Sequence, residues 1–150
     1  MKSKLEIKKS PDKILKALKR IDKQLNKSES VKVGLPKGSN EYPDGTSVIM
    51  VGVINEFGSP SKNIPERSFL RSTVSENKVK YKTLFKKIAV RITEGTMTMS
   101  QGLSLVGLQV QTDVRQKITD IKEPPLQHRE GNPLIDTGHL RQSIVFKVEE

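Results

Sequence analysis

Arg67 and Arg71 stand four residues apart in the segment Ile64-Pro65-Glu66-Arg67-Ser68-Phe69-Leu70-Arg71. On a helix that spacing puts both guanidiniums on one face. Two guanidiniums together make a bidentate site for a carboxylate or a phosphate. The competing partner lies in the same chain: Glu56, close upstream, could take up both in a salt bridge. The histidines, His128 and His139, lie in or beside loops, with no His, Asp or Glu at ligand spacing around them. A catalytic metal needs three protein ligands, and three cannot be assembled here, so both are expected to be surface histidines. Nucleophilic catalysis needs a hydroxyl or thiol beside a base. The chain has no G-x-S-x-G elbow, no phosphate-binding G-x-x-x-x-G-K-[ST] loop and no G-x-G-x-x-G. Its carboxylates are scattered among lysines and form no evident acid–base pair. An enzyme is not expected.

Charge is the second chemical feature. The formal net charge is +10, and residues 1–27 hold ten basic side chains against Glu6, Asp12 and Asp22. Such a segment is attracted to nucleic acid, anionic lipid or an acidic protein. Lys16, Lys19 and Lys23 are the candidate contacts to DNA or an acidic partner, and a merely solvated helical face is the competing reading. Nucleic-acid readers add aromatics for stacking. Here Tyr42, Phe57, Phe69, Tyr81, Phe85 and Phe146 are dispersed, and most fall on apolar stripes. Any DNA contact would then be to phosphate, without sequence preference.

These groups must be positioned by a chain of 150 residues, the usual size of one domain. Only 33% of it is hydrophobic, so either a partner supplies part of the burial or long segments are exposed. With no cysteine, disulfides and thiolate metal sites are excluded. No apolar run approaches the roughly 18 residues of a membrane span. The N-terminal MKSKLEIKKSPDK has charge without a following apolar core, unlike a signal peptide. A soluble protein made inside a cell is expected.

Ser10 and Pro11 read as N-cap and first residue of a helix. Its stripe is Ile14, Leu15, Leu18, Ile21 and Leu25, and it ends near Asn26. Val31 to Leu35 alternates as a strand, and Pro36 to Ser47 is loop. Val48 to Phe57 fits strand by its β-branched residues and helix by Val48, Val51, Ile54 and Phe57, with Gly58 as a stop. One long helix is expected from about Ser72 to Glu94, with Val74, Tyr81, Leu84, Phe85, Ile88 and Ile92 on its apolar face. Pro65 would give it a rigid start and Glu66 would favour its N-terminus. Phe69 and Leu70 would anchor that turn in the core. A second helix runs from about Ser100 to Ile121 on Leu103, Val106, Val110, Val114, Ile118 and Ile121. Gly107 falls on that stripe and predicts close helix packing. Glu123-Pro124-Pro125 stops it. Asp136 or Thr137 can cap a short turn, Gly138 reverses the chain, and Ser143 to Val148 is a last strand. Pairing it with the first strand closes a sheet over the two long helices and buries Leu140, Ile144 and Phe146. The expected fold is α+β: a small sheet packed against two long α-helices, plus an amphipathic N-terminal helix. It makes a single domain over 1–150, with 1–27 a basic helical segment.

Two segments carry more than local structure. The first is Ile54-Asn55-Glu56-Phe57-Gly58 followed by Ile64 to Arg71. The second is Pro133-Leu134-Ile135-Asp136-Thr137-Gly138-His139-Leu140-Arg141-Gln142-Ser143-Ile144. Together they resemble the phage virion-morphogenesis, or tail-completion, family. That family shows E-F-G, then I-P-x-R-x-F-L-R, two long helices, and P-L-[IV]-D-T-G-x-L-R-x-S-I. Order and spacing match from about Val31 to Val148. Ser68 departs from it, standing where a second proline or another residue is common, and the lysine-rich N-terminal helix is barely covered.

The resemblance implies a small α+β protein of the phage neck, without cofactor, placed in the virion and assembled in the bacterial host cytoplasm. It implies a ring, often hexameric, around the DNA channel. Neighbours would be the tail terminator, the tail tube, or a head-side adaptor or portal, with non-specific contact to genomic DNA and none to membrane. The matched residues Glu56, Arg67, Phe69, Arg71, Asp136, Thr137 and Arg141 become interface candidates. Arg141 would pair with Asp136 or with a neighbouring subunit, or else face solvent. A basic, non-specific nucleic-acid-binding accessory protein is the alternative function.

Overall fold

In the computed structural model, residues 11–26, 28–39, 41–127 and 130–149 are described. Among them are six α-helices and two strands: α1 Pro11–Leu25, β1 Ser30–Gly34, α2 Val48–Phe57, α3 Leu70–Glu76, α4 Lys78–Thr93, α5 Met99–Asp120, α6 His139–Gln142 and β2 Val145–Glu149. The expected α+β fold holds. Ser10 and His128 fall outside the described residues.

α5 is the platform. Thr98 and Gln101 start it with a reciprocal cap: the Thr98 hydroxyl accepts from the Gln101 N–H, and the Gln101 side chain accepts from the Thr98 N–H. Its expected stripe faces inward, with Val106, Val114 and Ile118 buried. β1 and β2 pair antiparallel, Val31 opposite Val148 and Val33 opposite Phe146, and both strands lie on α5. At Gly107 it is the sheet, and not the expected second helix, that comes close, because the glycine has no side chain. A Cβ there would sit 2.5 Å from the Phe146 ring and 2.9 Å from Val31. Phe146 itself is only partly buried, because a two-stranded sheet over one helix leaves the rim of its ring open.

Two apolar clusters result. The larger joins Val48, Phe69, Val114, Ile118, Leu134, Leu140 and Ile144; the smaller joins Ile88, Ile92 and Val106, with Val31 and Leu84 against it. Val110 on α5 packs against both. The Val48–Phe57 segment is helical, and Val48, Gly52 and Glu56 form its buried line.

The single helix expected from Ser72 to Glu94 is two. It begins at Leu70 and breaks at Asn77, whose side-chain amide and backbone N–H both donate to the Thr73 carbonyl, at 2.9 and 3.1 Å. At Asn77 the backbone leaves helical values, with φ −97° and ψ 11°, and the side-chain amide adds a second donor to a carbonyl that keeps its helical bond. Val74 is 52% and Phe85 46% exposed, and of the expected stripe Tyr81, Ile88 and Ile92 are buried. α4 is tied to α5 through Asp113, which accepts from Lys80 Nζ and from the Tyr81 hydroxyl.

α1 touches the body along one edge. Gln24 accepts from the Met99 N–H at 3.1 Å, and the Arg20 guanidinium lies beside Gly95. Its apolar residues Ile14, Leu15 and Leu18 are exposed.

Two predictions follow from this packing. Gly107→Val should destabilise the protein by about 1–3 kcal/mol through overpacking against Phe146, read as a lowered urea midpoint with unchanged slope. Truncation after Pro133 removes Leu134, Leu140 and Ile144, all nearly inaccessible. Each such side chain contributes about 2–5 kcal/mol against a usual total of about 5–15. The truncated chain should give an unfolded circular dichroism spectrum.

Candidate functional site

The Glu56 carboxylate is 3% exposed and saturated with donors. One oxygen accepts from the Phe69 and Leu70 N–H groups, both at 2.8 Å. The other accepts from the Ser68 hydroxyl at 2.8 Å, the Arg71 N–H at 3.0 Å and Arg71 Nε at 3.0 Å. Arg71 also donates to the Glu56 carbonyl and to Glu66, and its guanidinium lies 4.5 Å from the Phe57 ring centroid. Residue 69, before α3, is a phenylalanine and cannot cap. The carboxylate from α2 does so instead, where the helix dipole favours negative charge. Burial alone would raise its pKa. The Leu70 and Arg71 N–H groups, the Ser68 hydroxyl and the Phe69 N–H outweigh it and hold the carboxyl below its usual range. Ser68, the departure from the family pattern, thus donates to this carboxylate.

The expected two-arginine face does not form. Arg67 precedes α3 and turns inward, 5% exposed, donating from Nε to the Pro124 carbonyl at 2.7 Å and from Nη2 to the Pro125 carbonyl at 3.0 Å. Its own N–H donates to the Asn55 carbonyl. Burial lowers its pKa. The Glu56 alternative is correct for Arg71 and not for Arg67. Glu66 sits outside α3 and pairs with Arg71 rather than supporting the helix start. Gly58, at φ 73°, lets the chain turn back with the Glu66 N–H 2.9 Å from where a Cβ would stand. Glu56, Arg67 and Phe69 are therefore engaged within the chain; Arg71 keeps an outer side.

In the second motif Asp136 and Thr137 are exposed and neither caps α6. Gly138, at φ 82°, is its N-cap residue and no side chain bonds there. Leu140 and Ile144 are buried as expected. His139 is not a free surface histidine: its ring stacks on Tyr42 with centroids 5.3 Å apart. Arg141 does not pair with Asp136, because it reaches across to α5 and donates to the Thr119 hydroxyl at 3.3 Å. There it shares an open cleft of about 340 Å³ with Thr112, Arg115, Gln116 and Gln142. Arg115 donates to the Gln142 and Ile144 carbonyls at 3.2 and 2.8 Å. The sequence reading missed Arg115, although its i, i+4 spacing to Thr119 on the polar side of α5 was visible.

Lys16, Lys19 and Lys23 are exposed on α1. A second cationic surface was missed. α4 carries Lys78, Lys80, Lys82, Lys86, Lys87 and Arg91 and no acidic residue over 78–93, a run the sequence displays. Of these, Lys80 pairs with Asp113; the others form no ion pair among the described residues. α1 packs beside α4.

Among the described residues no group of three or more His, Cys, Asp or Glu could hold a metal ion, and no helix is long and apolar enough to cross a membrane.

Glu56→Ala should destabilise the protein by about 1–3 kcal/mol, the range for leaving buried donors unsatisfied, because the Arg71 side chain is 53% exposed and its charge is not left buried. The pH dependence has a definite sign. A carboxyl whose folded pKa is depressed contributes fully above its unfolded value of about 4.3, and that contribution is lost as pH falls through the folded value. Glu56→Gln should flatten the acid limb of stability against pH, measured by urea titration at stepped pH.

No protein-family model, no curated protein and no solved structure matches this chain.

Proposed function

We propose that the chain is a structural component of a bacteriophage neck, acting in tail completion or head–tail joining as one subunit of a ring around the DNA channel. The observation that carries this reading is the ordered pair of motifs, Glu56-Phe57-Gly58 with Ile64–Arg71, then Pro133–Ile144. The fold supports it by giving the motif residues structural work. The first segment locks α2 to α3, and the second delivers the strand that completes the sheet. The exposed apolar side chains on α1, α2 and α5 suit a subunit that neighbours cover. On this reading the partners are further copies of the chain and adjoining neck and tail proteins: a tail terminator, a tail tube, or a head-side adaptor or portal. The protein carries no catalytic role, and its place is the virion. Locating the chain in intact particles by electron microscopy tests the reading; its absence from the head–tail joint would overturn it.

The second reading is a basic, non-specific nucleic-acid-binding accessory protein. The adjacent lysine-rich surfaces of α1 and α4 favour it. Salt-dependent binding of free DNA by the isolated chain, with a log–log slope that tracks the phosphates neutralised, would decide for it.

The lysine surface gives a prediction on either reading. Reversing charge at Lys16, Lys19 and Lys23 should leave the thermal midpoint nearly unchanged, since exposed charges contribute below about 1 kcal/mol per pair. It should impair joining or DNA retention, scored as infectious particles per particle made. Undiminished infectivity would leave these lysines as a solvated face.

A further inference from the structure

α5 presents a second, outward seam. Leu105, Leu108, Thr112, Arg115 and Thr119 follow one another at spacings of three and four, the pattern of a helix-packing stripe. Leu105 is 43% and Leu108 52% exposed, although both sit in the middle of the molecule's longest helix. Farther along the same line Arg115 and Arg141 flank the cleft described above. Neither forms an ion pair among the described residues. Arg115 is held in place by the Gln142 and Ile144 carbonyls. The seam thus offers an apolar patch followed by two cations without a counter-charge. It is separate from the cationic face of α4. Asp113, which binds α4, lies nearly opposite Arg115 on α5 at 100° per residue.

α1 offers the complement. Leu15, Leu18 and Asp22 follow at spacings of three and four; the leucines are 53% and 57% exposed, and Asp22 is exposed with no ion pair among the described residues. A carboxylate therefore ends an apolar line on a helix whose other acid, Asp12, lies in its first turn and whose remaining charges are basic. Lys16, Lys19 and Lys23 lie to one side of that line and would stay in solvent.

We infer that α1 of one copy docks in the outer seam of α5 of the next, Leu15 and Leu18 against Leu105 and Leu108, with Asp22 entering the Arg115–Arg141 cleft. Along the axes Asp22 lies about 6 Å beyond Leu18 and Arg115 about 10 Å beyond Leu108, a difference that the arginine stems span. The exposed valines of α4 are a poorer seat, because they lie among lysines that would repel α1. The contact joins two different surfaces, so it repeats head to tail and closes into a ring or runs on as a filament. A single helix seam is smaller than the roughly 1,200 Å² of a standard stable interface, so association of the free chain is weak. The inference uses the proposed function only in that copies of the chain associate.

The chain has no cysteine, which makes directed cross-linking clean. Full-length Leu18→Cys and Leu108→Cys copies are mixed at high concentration and oxidised. The expected product is the disulfide-linked heterodimer, in excess of either homodimer. Dominant Leu18→Cys homodimers, or preferential linking of Leu18→Cys to a Val53→Cys copy on α2, would overturn the contact. Sedimentation supplies the second measure. Asp22→Lys and Arg141→Asp should each weaken self-association at least about tenfold, and the two together should recover it, with circular dichroism unchanged. Unaltered association in both single variants would also overturn it. Cross-linking by a chain that is absent from particles would sink the neck reading and leave this contact standing. A chain that is present in particles without the Leu18–Leu108 link would do the reverse.

Discussion

The Glu56 carboxylate is the point on which the fold turns. It is a negative charge withdrawn from water, an arrangement that persists only when every lone pair is met. Here backbone N–H groups at the start of α3, a hydroxyl and an arginine meet them. The same bonds set the junction of α2 and α3, and with it the place of Phe69 in the larger cluster. Arg67, one residue before Ser68, fixes the other side of that junction to the chain following α5. One anion and one cation, each buried and bound to different partners, thus orient the loop segment 58–69 that has little regular structure of its own.

Much of the architecture was legible because it rests on periodicity. The α5 stripe, the two strands and their pairing follow from spacing; the antiparallel direction, and the sheet rather than a helix as what Gly107 meets, do not. What failed depended on side-chain hydrogen bonds across the chain. Asn77 looks like an ordinary polar position in a helix, yet the backbone leaves helical values there and its amide shares the Thr73 carbonyl. Arg67 and Arg71 share a face only if the helix includes both, and it begins between them.

The candidate contacts divide on the same principle. A motif match marks positions without saying whether they serve packing or partners. Glu56, Arg67 and Phe69 prove to be interior, whereas Asp136, Thr137 and Arg141 lie outside. A sequence clue to Glu56 did exist: it falls on the buried line Val48, Gly52, Glu56, where an acid needs a dedicated set of donors. Arg141 was anticipated as a contact, but its companion Arg115 belongs to another element and only the folded chain brings them together.

The sheet has a consequence for biosynthesis. β1 is made before its hydrogen-bonding partner β2, with five α-helices between them in the described order. While the helices between them emerge, β1 has both edges open and nothing to zip onto, the kind of edge that invites wrong pairing. Closing the sheet waits for the most distant contact in the chain, and such non-local pairings are slow to form. Until β2 has been made, Val31 can lie against the Ile88, Ile92 and Val106 cluster while the backbone groups of β1 have no strand to pair with.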